Sequence, residues 1–389
     1  MPRIKKLIVS KIISDDDISK KQGTWFTEDD LVHPIINKNI DVYYLDEKGQ
    51  EKLLLKYRKN QISDELCDLG WNSYRTLAKP SRGRGASAGP IHPDGQYFGK
   101  RSLVHTKKWS TGYLKPAGKL LKEELDLLSL EDIKKRSYDI DIADNDTKEN
   151  IIYKIVKSKK LVSSMKVNNQ VASQPLGYYE ETKGIMAKPC RLTHFARTNF
   201  DKYNEGLPFI QHLDTCFKKL IPEAHKNQLY KANLKKHLRI PKTSFSTITI
   251  NRNFRTALHR DAGDFKGGFG NLTVIERGKY HGGYTCFPQF GIGVDVRKGD
   301  FLAMDVHEWH TNTPIYETAE DKAYNDTLED VFKDNSEVGT AGIYEKYTRL
   351  TFVCYLRDKI SIKCPDLDKL SEWELAHLTK SGHSKIIKT

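Results

Sequence analysis

The chain has 389 residues, with 64 Lys and Arg against 51 Asp and Glu, giving a formal charge of +13. Hydrophobic residues make up 38% and aromatics 10%, enough to bury a core and to exclude wholesale disorder. No run approaches the roughly 18 consecutive apolar residues of a membrane span, and the basic excess suits a polyanionic partner such as nucleic acid.

The first residues are basic and then briefly apolar, but Lys11 interrupts them and Asp15, Asp16 and Asp17 follow. That order is wrong for a secretory leader, so the expected setting is intracellular and soluble. Six cysteines are scattered without a CxxC pair, which argues against a disulfide scaffold or a cysteine zinc site. Residues 1–116 read as a mixed N-terminal region of short apolar runs and turns. Within it, the Gly- and Ser-rich stretch 79–90 cannot hold a stable helix. Arg82 and Arg84 there either meet phosphate or close over a substrate, or else belong to a solvated linker.

Residues 117–160 read as two helices joined by a turn. Ser129, followed by Glu131 and Asp132, marks a helix start with acids near the positive end of the dipole. Thr147 can cap a second helix whose Ile151, Ile152, Ile155 and Val156 recur at helical spacing. Through Leu130, Ile133, Thr147, Lys148 and Ile151 to Ile155 this hairpin resembles the SAP motif, a small DNA-binding module, without that family's glycine before Thr147. An unrelated helical hairpin fits the same pattern.

From about 175 the chain reads as one unit to residue 360, followed by a basic tail, 361–389. An i, i+3, i+4 pattern predicts a helix over 207–221, ending before Pro222. Strand-like runs with Gly-rich turns then occupy 244–357. Helices followed by a block of strands predict an α+β domain around a sandwich or barrel.

In the run 245–254 alternation puts Ile248, Ile250 and Phe254 on one face and Thr247, Thr249, Asn251 and Asn253 on the other. Continued without a bulge, the parity carries His259 and Asp261 to the polar side. His310 follows 51 residues after His259, in a turn rich in small residues. A later run places Arg349, Thr351, Val353 and Tyr355 on one face and Leu350, Phe352, Cys354 and Leu356 on the other.

Two histidines and one carboxylate are the ligand set of non-haem Fe(II) oxygenases, which leave three metal positions for cosubstrate and O₂. Zinc hydrolases favour other spacings, such as HExxH. An Arg followed two residues on by a hydroxyl suits a dicarboxylate cosubstrate: the guanidinium grips a carboxylate at two points and the hydroxyl adds a third bond.

These stretches together (247–265, 282–288, 294–305, 310–314 and 349–355) resemble the 2-oxoglutarate/Fe(II) dioxygenases of the TET/J-binding-protein branch, with its viral, phage and algal relatives. The resemblance covers about 180 to 358. It implies a double-stranded β-helix core, jelly-roll or cupin-like, with flanking helices. It implies Fe(II) on His259, Asp261 and His310, with 2-oxoglutarate on Arg349 and Thr351. O₂ is the oxidant and ascorbate a reductant or cosubstrate. The implied reaction oxidises the 5-methyl group of thymine or 5-methylcytosine in DNA, with no membrane partner. His307 is the rival distal ligand, three residues from His310. About 30 polar residues, 316–346, separate the distal histidine from the Arg strand and read as a surface insertion.

Asp264 either contacts an N–H of a flipped base or serves its glycine-rich loop. Asn251 is a pocket candidate or a barrel-lining hydrogen-bonder, and Trp309 reads as packing. The same superfamily includes prolyl-type protein hydroxylases, which Gly282, Gly283, Phe287 and Pro288 also suit. A catalytically inactive DNA-binding relative is the third alternative.

Overall fold

β-Branched and aromatic runs alternate with glycine turns along the C-terminal two-thirds of the chain, and they form strands where that alternation is cleanest. The computed structural model describes residues 4–81, 84–89, 125–134, 142–157, 171–182, 188–329 and 346–378. Among these residues the strands are β1 Lys5–Val9, β2 Ile40–Leu45, β3 Glu51–Arg58, β4 Pro80–Ser81, β5 Val171–Tyr179, β6 Arg191–Leu192, β7 Thr247–Arg252 and β8 Gly270–Arg277. There follow β9 His281–Gly282, β10 Thr285–Phe287, β11 Ile292–Val294, β12 Phe301–Met304, β13 Thr311–Asn312, β14 Ile315–Tyr316 and β15 Thr348–Tyr355.

Ten of them form one sheet in the order β1-β2-β3-β12-β8-β15-β7-β5-β4, with β6 paired to β5. A smaller sheet runs β11-β10-β13, and β14 pairs with β9. Each face of the large sheet has its own apolar partner. On one, Ile248, Ile250, Leu350, Phe352 and Cys354 join Phe209, Leu213 and Phe217 of the helix Leu207–Leu220. Phe209 meets Phe352 edge-on at 5.0 Å between ring centroids, and burying each such ring stabilises the fold by about 1.5–3 kcal/mol. On the other, Leu272, Val274, Leu302 and Met304 cluster with Phe287, Phe290, Ile292 and Val294 of the small sheet. The result is a mixed α/β architecture whose two facing sheets make a jelly roll, as the strand block predicts.

The helix Leu207–Leu220 ends where the sequence predicts, and Pro222 opens the next helix, Pro222–Asn233, where its missing N–H costs nothing. The first 60 residues, within the mixed N-terminal region, contribute three strands to the large sheet. β3 pairs with β12 in the register Phe301↔Arg58, and β2 and β1 extend the sheet outward. Without them β12 would present an open edge of unpaired N–H and C=O groups. Val42, Leu55 and Tyr57 of these strands share the cluster that holds the small sheet.

By contacts the chain divides into Met1–Ala88 with Gln170–Thr182 and Lys188–Thr389, and a second unit of Gly89–Asn169 with Lys183–Ala187. In the second unit, helices span Leu130–Lys134 and Lys148–Lys157. Thr147 Oγ1 accepts the Asn150 amide at 3.2 Å, capping the latter. Residues 117–124 of the predicted hairpin lie outside the described residues.

The polar insertion starts as β14 and a helix, Ala319–Asn325, entered through a Thr318/Asp321 capping box. Cys190 and Cys364 form a disulfide across 174 residues of sequence. Nothing in their spacing announces it, because the fold and not a motif brings them together. Cys67, Cys216, Cys286 and Cys354 are free and buried. No helix among the described residues is long and apolar enough to cross a membrane.

Candidate active site

β7 carries the polar face expected of it only as far as Arg252. Asn253 then adopts a left-handed φ of 44°, a conformation Asn tolerates better than most residues, and the strand stops. This bulge resets the alternation. Phe254 turns to the cavity side with Thr249 and Asn251, not to the apolar face with Ile248 and Ile250. His259 and Asp261 therefore reach the cavity on a loop, held by backbone bonds to three other segments. The Ala257 amide donates to Ser87 O at 2.8 Å, Leu258 to Thr24 O at 3.0 Å, His259 to His310 O at 3.0 Å and Asp261 to Val306 O at 3.0 Å.

This loop brings the predicted ligand set together. One ligand atom from each of His259, Asp261 and His310 lies within 4.8 Å of the other two. The two Nε2 atoms stand 3.7 and 3.8 Å from opposite oxygens of Asp261. Each ring's Nδ1 sits against a backbone carbonyl, Ala257 O at 2.7 Å and Glu308 O at 2.9 Å. A carbonyl can only accept, so Nδ1 carries the proton and Nε2 presents its lone pair toward the carboxylate. Burial, with His259 adding to it, pushes the His310 imidazole down to about 4, so the ring is neutral at physiological pH. His307 does not belong to the cluster: its amide donates to Asp305, and its Nε2 is enclosed elsewhere.

The three side chains open into a cavity of about 230 Å³ between the two sheets. Arg84, Asn251, Asp264 and Thr351 line it, as the sequence suggests; Arg82 lies outside the described residues. Arg84 Nη1 reaches Thr249 Oγ1 at 3.5 Å. Asn251 accepts from Ser173 of β5. Asp264 is half-buried as a residue, but its Oδ2 is enclosed and has no hydrogen-bond partner. Burial, and then the Asp261 charge, hold its carboxyl well above the usual carboxylate range, while Arg357 pulls the other way. Trp309 packs with Ile18, Phe26 and Leu258, and Arg260 lies 4.4 Å over its ring.

Arg349 is not part of that wall. It lies two residues before Thr351 on the same face of β15, 3% exposed, and its Nη2 makes no hydrogen bond. A buried guanidinium nitrogen left unpaired is costly, which is what a site for an absent anion looks like. Gly283, at φ +69°, gives it room: a Cβ there would stand 3.3 Å from Arg349 Nε.

Sequence reasoning missed Arg357 and Glu180. Arg357 lines the cavity and grips Glu180 at two points, Nε to Oε2 and Nη2 to Oε1, both 2.6 Å. The signal was present, since 357 continues the parity of 349, 351, 353 and 355. Glu180 carries none.

A two-histidine, one-carboxylate cluster between the sheets of a jelly roll is the arrangement that defines the mononuclear non-haem iron oxygenases. Residues 174–358 match the Tet_JBP family model, the oxygenase domain of the 2OGFeDO superfamily. The chain is 28% identical over 214 residues to the bifunctional helicase and thymine dioxygenase JBP2 of Leishmania tarentolae, covering 55% of this chain and 17% of the relative. It is 31% identical over 173 residues to the thymine dioxygenase JBP1 of Trypanosoma brucei brucei, covering 44% and 20%. The chain thus spans a fifth or less of the length of these curated relatives. Among solved structures it aligns with NgTET1 in complex with 5mC DNA at a TM-score of 0.39 and 11% identity, over 93% of this chain and 98% of that one.

Proposed function

We propose that this protein is an Fe(II)/2-oxoglutarate-dependent dioxygenase that oxidises the 5-methyl group of a pyrimidine, thymine or 5-methylcytosine, in DNA. The observation that carries the reading is the convergence of His259, Asp261 and His310 at one end of a cavity. Two imidazoles presenting Nε2 and a carboxylate suit Fe(II), and the unpaired Arg349 nitrogen suits a cosubstrate carboxylate on the same strand face. When bound, the iron with 2-oxoglutarate and O₂ supplies the oxidising power for an unreactive C–H bond, with ascorbate as a reductant.

The chain's own residues bind and orient. His259, Asp261 and His310 hold the metal, and Arg349 with Thr351 holds the cosubstrate. Asp264 and Asn251 offer polar groups to the Watson–Crick edge of a flipped base, and Arg84 stands at the wall beside Thr249. Flipping costs a few kcal/mol, and basic contacts to the strand offset it. The thymine dioxygenase relatives and the +13 charge favour DNA over a peptide. A DNA-contacting role for the helices Leu130–Lys134 and Lys148–Lys157 belongs to the same reading, supported by the Thr147 cap and the lysines beside it. A DNA substrate also implies a nuclear setting, or the host cytoplasm for a viral enzyme.

The test incubates the chain with methylated and unmethylated DNA, Fe(II), 2-oxoglutarate and O₂, followed by mass spectrometry of the nucleosides. Oxidised 5-methylpyrimidine is expected. Its absence, alongside hydroxylation of a proline-containing peptide, overturns the reading in favour of a protein hydroxylase.

A further inference from the structure

A second cavity, of about 410 Å³, lies beside the first and has a different chemistry. Leu77, Pro175 and Phe195 give it apolar walls, and Lys79, Lys188 and Arg191 bring three permanent positive charges to it. No Asp or Glu lines it. Neither lysine has a carboxylate partner among the described residues. Arg191 spends Nη1 on two backbone carbonyls, Glu180 O and Pro189 O, each at 3.1 Å, which orients the guanidinium without neutralising it. Thr193, 2% exposed, lines the same cavity, and its Oγ1 has no hydrogen-bond partner. A buried hydroxyl without a partner, beside three cations in a cavity that no carboxylate lines, is a donor set that suits an anion.

The cavity is tied to the catalytic one through a single ring. Tyr179 lines the basic cavity, and the Arg191 guanidinium lies 5.7 Å from its centroid. Arg357, a wall of the catalytic cavity, lies 4.8 Å from the same centroid. Tyr179 thus has an arginine of each cavity against its ring. A nucleic-acid strand presents a base and an anion as close neighbours, because every base is joined through its sugar to a phosphodiester.

We infer that Lys79, Lys188, Arg191 and Thr193 form a subsite for one backbone phosphate of the strand whose base enters the catalytic cavity. The inference rests on the DNA reading above and adds the phosphate that registers the strand. Phosphate contacts position a strand without reading its sequence, so the subsite sets the register and leaves base choice to the catalytic cavity.

The test uses the full chain and a K79Q/K188Q variant, both substitutions lying on exposed side chains. Binding of a duplex with one 5-methylcytosine is measured by fluorescence anisotropy across a salt series. The variant should bind about tenfold more weakly, with the slope of log K against log salt smaller by about one, the share of one phosphate. A duplex series with single methylphosphonates should show one position that weakens wild type and leaves the variant unchanged. An unchanged slope, or a sensitive phosphate that stays sensitive in the variant, overturns the inference. So does weaker binding of inorganic phosphate by the variant with an unaltered DNA curve, which marks a free-anion site. Nucleoside oxidation is followed in parallel. If wild type yields no oxidised pyrimidine while the binding results hold, the reaction assignment fails and the phosphate subsite stands.

Discussion

Asn253 holds Arg349 by both sides of its backbone: the Arg349 amide donates to Asn253 Oδ1 at 2.7 Å, and the Asn253 amide donates to Arg349 O at 3.0 Å. Its Nδ2 also donates to Tyr347 O at 3.1 Å. The residue that breaks β7 therefore anchors the backbone at the start of β15, which carries Arg349. Asn253→Ala loses two side-chain bonds and meets the φ of 44° with a less tolerant residue. It should destabilise the chain by about 2 kcal/mol and raise the KM for 2-oxoglutarate several-fold. Asn253→Asp, which keeps the acceptor for Arg349, should recover most of the KM effect. Steady-state kinetics with both variants checks this, and equal KM values for the two would contradict it.

Arg349 itself allows a sharper test. Arg349→Lys keeps the charge and loses the planar fork; Arg349→Gln loses both. Charged hydrogen bonds contribute about 1.5–3 kcal/mol, so 2-oxoglutarate affinity should fall about tenfold to a hundredfold, with Gln worse than Lys. Calorimetric titration of the metal-loaded chain reads the change. Unaltered affinity in Arg349→Gln would move the cosubstrate to another residue.

For the metal, His307 and His310 give opposite expectations. His259→Ala, Asp261→Ala and His310→Ala should each reduce turnover to below about 1%, since even residues that merely orient ligands cost tenfold to a hundredfold. His307→Ala should retain Fe(II) binding. Anaerobic Fe(II) titration separates the ligands from their neighbour, and removal of the metal with a chelator should lower the wild-type unfolding midpoint. Metal binding that survives His310→Ala but not His307→Ala would reverse the assignment.

How much of this was legible in the sequence depends on whether local pattern or long-range pairing decides. The helix Leu207–Leu220 and the two faces of β15 follow from periodicity, because each buries one side against a continuous core. The cluster of His259, Asp261 and His310 could be anticipated from residue type and order together with the family resemblance, which favours His310 over His307. Their route could not: a single left-handed residue, Asn253, cancels the parity argument, and backbone bonds from Thr24, Ser87 and Val306 replace it. The N-terminal strands were invisible as part of the sheet for the same reason, since pairing between Arg58 and Phe301 spans more than 240 residues. Glu180 acquires meaning only once folding sets it against Arg357.

That pair is the next point of test. Both side chains are mostly buried, and Glu180 answers Arg357 with two bonds of 2.6 Å. Glu180→Gln leaves the guanidinium with one good acceptor and an uncompensated charge. Complete burial of such a charge costs about 3–5 kcal/mol; discounted for partial exposure, a loss of about 2 kcal/mol is expected. Urea unfolding measures it, and a change within about 0.5 kcal/mol would show the bridge to be dispensable.

Asp264 links stability to pH. Its folded-state carboxyl titrates above the ordinary aspartate range because burial and the Asp261 charge favour the protonated form. An acid shifted in that direction contributes its full stability below the unfolded-state value and loses it as pH rises through the folded-state value. At pH 7.5 the metal-free chain therefore carries an ionised carboxylate, or a trapped proton, at a cost that an amide of the same shape does not incur. Asp264→Asn should raise the melting temperature of the metal-free chain at pH 7.5, and the gain should shrink as pH falls toward 4. Thermal unfolding of both chains at the two pH values decides the matter. A gain that is constant with pH would mean shape alone matters, and a wild type more stable at pH 7.5 would mean Asp264 is ionised and paired. If Asp264 also meets an N–H of the substrate base, the same variant should lose selectivity for the methylated pyrimidine, the opposite sign to its stability gain. A residue kept at a cost in folding and needed for recognition is what a site under functional demand contains.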